Sequence, residues 1–317
     1  MTLPDFIQTE KQLEDLLSEP TPAVIETLAR LPGDLIILGA SGKMGPSLAR
    51  MAKRASDAAG LPRRVIGVAR FAAGGRETLE SHGIETIACD LLDEEQVMRL
   101  PDAAHVVFMA GRKFGSTGDE PTTWAMNTWL PSVVCRRYRG SRIVAFSSGN
   151  IYGLTEVAGG GSRETDVPRP VGEYAMSCLG RERLFDYFSR SLGIPMAIIR
   201  LNYACDLRYG VLVDLALQIE RRLPVDLSMG HFNTLWQGDA NAMALAALGN
   251  VSTPPWIVNV TGPELLSTLG VSERLAELLG KPLRCAGGGT STALLSDASR
   301  AFETLGRPAV SAQRLID

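Results

Sequence analysis

The chain has 317 residues, of which 45% are hydrophobic and 21% charged, the proportions of a folded protein long enough for one domain with an appendage, or for two. A formal net charge of -3 gives no general attraction to nucleic acid or to an anionic membrane surface, so neither is expected as a partner. Five cysteines without C-x-x-C spacing fit reduced thiols, and His82, His105 and His231 share no ligand spacing, so no metal is expected.

The opening MTLPDFIQTEKQLEDLL has early acids and no uninterrupted apolar run, unlike a signal peptide or membrane segment, and a cytoplasmic location is the expectation. Leu13, Leu16, Leu17, Val24, Ile25 and Leu28 then recur at helical spacing, broken by Pro20 and Pro22. This predicts a two-helix N-terminal extension over residues 1–32.

From Leu35 onward short apolar runs alternate with helical stretches: Leu35–Leu38, Val65–Ala69, Ile84–Cys89, His105–Ala110, Arg142–Ser147 and Pro195–Arg200. Strands that are apolar throughout need both faces covered, so the alternation predicts an α/β fold. The expected form is a Rossmann-type, doubly wound parallel sheet over residues 33–200. Beyond Arg200 the pattern loosens into a smaller substrate-binding region, 201–317, with a helix at 211–222, a strand at Trp256–Val260 and a helix at 271–279. Two glycine-rich stretches, Ala158–Ser162 and Ala286–Gly289, read as plain surface loops, with hinges or lids as the alternative. The chain has no internal repeat.

The first strand runs directly into GASGKMGPSLARMA, a G-x-x-G-x-x-G pattern with Gly39, Gly42 and Gly45 at a strand-to-helix turn. Such glycines allow a tight turn and let a pyrophosphate approach the backbone, where a helix N-terminus offers free N–H groups. Ser41, Lys43 and Met44 complete the candidate cofactor loop, and Pro46 suits the start of the helix. At the end of the second strand a carboxylate would select the ribose 2′-hydroxyl of NAD. Ala69 and Arg70 stand there instead, and an arginine pairs with a 2′-phosphate, so NADP is favoured over NAD, with Lys43 adding charge. Asp90 and Leu91 border the adenine, unless Asp90 serves only as a helix cap.

The glycine loop is followed in order by CDLLD, FMAG (108–111), Asn127, SSGNIYG (147–153), Tyr174, IIRLNYA, GDANA, NVTGPE and LLSDASRAFETLG. In this order the motifs resemble those of the extended short-chain dehydrogenase/reductases, the NAD-dependent epimerase/dehydratase family, over essentially residues 33–308. The resemblance implies that Ser148 holds and polarises a substrate carbonyl or hydroxyl, that Tyr174 passes a proton and contacts the cofactor, and that Asn127 braces the site. It also implies cofactor contacts at Ala110 and Gly111, and a homodimer built on the Asn127 and Tyr174 helices.

One position departs from that pattern. The family carries a lysine four residues after the tyrosine, and here the residue is Cys178, too short for the lysine's reach and mostly neutral near pH 7. It reads as buried packing rather than as a nucleophile. Arg181, seven residues after Tyr174, is expected to be an ordinary surface or ion-paired arginine, with a substitute positive charge as the alternative. Sugar-nucleotide members place an arginine before the D-x-x-A helix, where this chain offers His231, Asn233 and Gln237. Arg112 and Lys113, after the fourth strand, either meet an acidic ligand or are solvated loop charges. The expected function is an NAD(P)-dependent oxidoreductase or epimerase/dehydratase acting on a small, sugar-like or polyhydroxylated carbonyl substrate; the alternative is a non-catalytic NADP(H)-binding sensor or scaffold.

Overall fold

A computed structural model describes residues 4–317 apart from 73, 114 and 116. Its centre is a seven-stranded sheet of β1 (Leu35–Leu38), β2 (Val65–Ala69), β3 (Glu85–Ala88), β4 (His105–Phe108), β5 (Arg142–Ser148), β6 (Met196–Leu201) and β7 (Trp256–Val260). The order is β7-β6-β5-β4-β1-β2-β3, and every pairing is parallel. The direction of winding reverses between β1 and β4, so a crevice opens beyond their carboxyl ends.

Alternate side chains along each strand enter opposite layers, as the two-residue period requires. Leu35, Ile37, Val107, Val144, Ile199 and Val258 pack on one side, and Ile36, Leu38, Val106, Phe108, Ile143 and Ile198 on the other. The first layer is closed by α2 (Pro22–Arg30) and α3 (Gly45–Ala58), while α1 (Glu10–Leu17) packs on α3 and buries Leu13 and Leu17 in a separate cluster with Trp236 and Val310. Thr9 and Thr21 cap α1 and α2 by accepting from Gln12 N and Val24 N, and Pro22 sits in the first turn of α2. Arg50 of α3 binds Asp15 of α1 at 2.5 Å, and Arg63 donates to Leu28 O at 3.0 Å, fastening the extension to the sheet layer.

Between the strands lie α4 (Arg76–Ser81), α5 (Glu94–Met98), α6 (Glu120–Trp124), α7 (Leu130–Arg137) and α8 (Gly172–Leu192). A π-helical turn, Ala125–Trp129, joins α6 to α7. The second layer rests on α7 and α8, with Phe185 edge-on to Phe108 at 5.2 Å.

Beyond Arg200, α9 (Val211–Glu220) and α11 (Thr268–Leu279) form their own small core with Val225 and Phe232. The same stretch also re-enters the main body: β7 pairs with β6, and α10 (Gln237–Ala246) packs against α2 and α3. Two short helices, α12 (Ser299–Thr304) and α13 (Ala312–Ile316), complete the chain. Of the glycine-rich stretches, Gly161 has φ of +108° and an added Cβ there would lie 2.7 Å from Ser296 C, so this loop is packed down. Cys285–Ala286, beside the second stretch, pairs with Val225–Asp226. Among the described residues no helix is long and apolar enough to cross a membrane, and no His, Cys, Asp or Glu group is placed to hold a metal ion.

Candidate active site

Three neighbouring cavities run across the carboxyl ends of β1, β4 and β5. The first, about 450 Å³, is lined by Gly39, Ser41, Gly42, Arg70, Asp90, Leu91, Ala110 and Gly111. The second, about 370 Å³, shares Gly39, Gly42 and Gly111 with it and adds Lys43, Met44, Gly45, Lys113, Tyr174 and Arg181. The third, about 570 Å³, lies under α9 and is lined by Lys43, Lys113, Ser148, Tyr174, Tyr203, Tyr209 and Asp214 among others.

The glycine loop shows why each glycine stands where it does. Gly39 has φ of +99°, and a Cβ on it would lie 2.7 Å from Ala110 N. A Cβ on Gly45 would lie 2.4 Å from Ala40 O, so this glycine lets α3 close on β1. At Gly42 an added Cβ meets nothing nearer than Gly39 O at 3.4 Å. The protein itself does not need glycine there, but a phosphate group close to the backbone does. Together with the two cavities that meet at this loop, that cradle fits a dinucleotide.

Arg70 follows β2 directly and lines the first cavity with Asp90. Asp90 accepts from Leu92 N at 3.0 Å, while the cap of α5 is Asp93. Lys43, expected beside Arg70, is not among the residues of that cavity; its ammonium lies over the Tyr209 ring, 4.4 Å from the centroid, toward the third.

Tyr174 and Ser148 line the same cavity, and Tyr174 packs against Cys178. Ser148 ends β5 and caps the turn Gly149–Tyr152, donating to Asn150 Oδ1 at 2.9 Å and accepting from Asn150 N at 3.2 Å. Burial pushes the Tyr174 phenol above the ordinary tyrosine range; Cys178 adds to the rise, and Arg181 and Ser148 oppose it. Cys178 is fully buried against Ile151 and Tyr152, and burial raises its thiol as well, so it is a neutral packing group.

Arg181 corrects an expectation. It is only 6% exposed rather than on the surface, and it bonds no carboxylate: Nη1 donates to Phe146 O at 2.8 Å, Nε to Asn127 O at 3.3 Å, and Nη2 to Asn127 Oδ1. Gly111 makes room for it, since a Cβ there would lie 2.4 Å from Arg181 Nη2. Asn127 is fully buried in the π-helical turn. It grips the backbone of Arg112 from both sides, accepting from Arg112 N at 2.9 Å and donating to Arg112 O at 3.1 Å, and also donates to Ser177 Oγ at 2.9 Å. It thus acts on the loop after β4 and on α8 rather than on the cavity directly, at a π-turn of the kind often found near functional sites.

Arg112 pairs with Asp119 at 2.8 Å, whereas Lys113 enters the second and third cavities. Before α10, Asn233 donates to Ser296 O at 2.7 Å, and Gln237 Nε2 donates to Ser47 Oγ at 2.9 Å while its oxygen receives Tyr209 OH. Both are thereby committed to the protein. Tyr203 lies in the IIRLNYA motif but was given no role there, and Tyr209 and Asp214 lie outside the motifs; one structural sign is that Tyr203 holds φ of +48°, a costly conformation for a bulky residue and one that gathers at functional sites.

A glycine loop at the switch point of a doubly wound sheet, with a tyrosine and a serine facing one cavity beside it, defines an extended short-chain dehydrogenase/reductase. The family model described as "NAD dependent epimerase/dehydratase family" matches residues 35–204, and the chain belongs to that family and is an enzyme of its kind. The fold is shared with solved structures. UDP-glucuronic acid 4-epimerase from Bacillus cereus, in complex with UDP-glucuronic acid and NAD, is 20% identical, with 88% of this chain and 95% of that chain covered and a TM-score of 0.73. For dTDP-glucose 4,6-dehydratase from Streptomyces venezuelae, with NAD bound, the values are 17%, 88%, 93% and 0.75. For UDP-glucose 4-epimerase from Thermus thermophilus, in complex with NAD, they are 24%, 89%, 96% and 0.72. A search of the curated proteins gives no significant match.

Proposed function

We propose that the protein is an NAD(P)-dependent oxidoreductase or epimerase/dehydratase that acts on a small polyhydroxylated or sugar-like compound. The observation that carries this reading is the placement of Tyr174 and Ser148 in one cavity contiguous with the glycine loop. A bound nicotinamide would supply hydride transfer. Ser148 then orients the substrate oxygen, and Tyr174 moves the proton at that oxygen. Asn127 fixes the loop that carries Lys113, and Arg181 props that loop from below at Gly111.

The substrate cavity favours a compact polar compound over a nucleotide-diphosphate sugar. It offers Tyr203, Tyr209, Asp214, Lys43 and Lys113 as hydrogen-bonding partners, while the segment before α10 supplies no arginine and commits Gln237 to Tyr209 and Ser47. The test is a screen of sugars, sugar acids and polyols with NAD and NADP, following nicotinamide absorbance and product formation by NMR. Turnover is expected. Dinucleotide binding without turnover across that screen moves the assignment to a non-catalytic NADP(H) sensor.

NADP is proposed as the preferred cofactor. The solved neighbours named above hold NAD, but β2 here ends at Ala69 and is followed by Arg70 with no carboxylate at that place, and Arg70 lines the cavity beside the glycine loop. Wild type is expected to bind NADP at least about tenfold more tightly than NAD, and Arg70→Ala to lose most of that difference, as one charge-assisted hydrogen bond predicts. Equal affinities in wild type, measured by calorimetric titration, refute the preference.

A homodimer is proposed as well. Met176 and Tyr187 project from one face of α8 at 47% and 62% exposure, with Trp129 of the adjoining π-helical turn at 40%. Pairing α7 and α8 with their mates would cover these side chains. Sedimentation at micromolar concentration is expected to show a dimer, and a monomer there rules it out.

A further inference from the structure

We propose that Gln237 is a positioning residue that couples the substrate cavity to the dinucleotide loop: it ties the phenol of Tyr209, in the cavity wall, to Ser47 in the first turn of α3. The inference goes beyond the reaction proposed above and rests on the reading of the glycine loop as the dinucleotide cradle. A buried carboxamide is costly unless its oxygen and its N–H groups find partners. Gln237 opens α10 and is fully buried; its oxygen accepts from Tyr209 OH, and its Nε2 donates to Ser47 Oγ at 2.9 Å. One side chain thus serves a residue of the substrate cavity and a residue of the cofactor helix.

At the loop end, Ser47 is buried and its hydroxyl is completely used. It accepts from Gln237 Nε2 and from Asn241 Nδ2, each at 2.9 Å, and donates to Met44 O at 3.1 Å. Met44 is the N-cap of α3 and lines the second and third cavities, so the hydrogen-bond chain ends on the turn that would hold a pyrophosphate.

At the cavity end, a tight turn pins the backbone of Tyr209. Asp206 N donates to Tyr209 O at 3.2 Å, and Asp206 Oδ1 accepts from Tyr209 N at 3.2 Å. Arg208 of the same turn pairs with Asp206 at 2.6 Å and with Glu14 of α1 at 2.6 Å. With the backbone so held, the direction of the Tyr209 ring is set by the bond its phenol makes with Gln237. Lys43, lying over that ring 4.4 Å from its centroid, gives the glycine loop a second, direct contact with Tyr209.

The donors run one way, from Tyr209 OH through Gln237 and Ser47 to Met44 O, so each bond orients the next. A pyrophosphate that gathers the N–H groups of the glycine loop fixes the first turn of α3, and through Ser47 and Gln237 it fixes Tyr209. The coupling is reciprocal: a ligand that holds Tyr209 in place strengthens dinucleotide binding by the same factor.

The test needs no substrate. 3-Fluorotyrosine is installed at position 209 of the full-length protein, and its fluorine NMR signal is followed as NADP or NAD is added, with calorimetry reporting binding in the same samples. Dinucleotide is expected to shift the signal in the wild-type background. Gln237→Met and Ser47→Ala are each expected to cut that shift at least about threefold at saturating dinucleotide, the weight of one neutral hydrogen bond in an equilibrium constant. A glutamine that merely fills the core would leave the shift intact, however much its loss weakened the fold. Circular dichroism follows folding, and because the two variants break the link at different bonds, the failure of one to fold does not close the test. A full shift in either folded variant means that the loop acts on Tyr209 by another route, such as Lys43, and overturns the role of Gln237. Binding with no shift in wild type overturns the coupling alone. No binding of either dinucleotide refutes the reading of the glycine loop, and the coupling falls with it.

Discussion

Tyr174→Phe is expected to lower kcat by about 10²- to 10⁴-fold, the range that a positioned general acid or base contributes, while dinucleotide affinity changes by no more than about twofold. The substitution removes one oxygen and leaves the ring, so the packing against Cys178, Ile151 and Tyr152 is retained. Ser148 keeps its bonds to Asn150, so the end of β5 should not move. The glycine loop and the Arg70 cavity lie on other elements and are untouched. Steady-state kinetics on a substrate found by the screen, with calorimetry for the dinucleotide, separate the two effects. Full activity in the variant would remove Tyr174 from the mechanism.

The parts of this fold that could be read in the sequence are those where one local pattern has one physical cause. Leu35–Leu38 and Val65–Ala69 are apolar throughout because both faces of these strands are buried, and the structure has strands at those residues. The α1 and α2 helices announce themselves by apolar spacing and by Thr9, Thr21 and Pro22. Ends were less legible. The fourth run was expected to reach Ala110 but β4 stops at Phe108; Met109 N still bonds Leu38 O, and the chain then departs toward the Asn127 clamp. The helix expected to end at 222 stops at Glu220, where Arg222 turns to φ of +55°.

What the sequence hides is whatever depends on two distant segments meeting. Helical spacing puts Arg181 on the face of Tyr174, but nothing local says that Phe146 O and the Asn127 side chain wait there for a guanidinium. Arg112 and Lys113 could be read only as charges after the fourth strand, because their placing depends on an asparagine farther along the chain that grips Arg112. Tyr203, Tyr209 and Asp214 reach the cavity only because the chain after β6 folds back over it. The return of β7 and α10 to the main body is a pairing of long range, and short-range periodicity carries no record of it.

The largest effect on stability is expected at Glu182→Gln. Glu182 and Arg200 form an ion pair at 2.8 Å with side chains 3% and 4% exposed. Glu182 also accepts from Ser147 Oγ at 2.6 Å, and Arg200 reaches Tyr152 OH at 2.6 Å, which in turn donates to Asn259 Oδ1 at 2.8 Å. One network thus joins α8, β5, β6 and β7 directly beneath Ser148. A pair so deeply buried adds little net stability once its desolvation is counted, but removing one partner strands the other charge, at a cost of about 3–5 kcal/mol. Glutamine has nearly the same shape, so the loss reports charge rather than volume. Arg200→Met in the same chain removes the stranded guanidinium, and the double variant is expected to be more stable than Glu182→Gln alone, a coupling that urea unfolding measures as a double-mutant cycle. If Glu182→Gln costs less than about 1 kcal/mol, the network is not sealed from water as the burial of both side chains requires. If the double variant is the least stable of the set, the arginine contributes chiefly through its bonds to Tyr152 and Glu164 O, and the weight of the network lies with the tyrosine rather than with the ion pair.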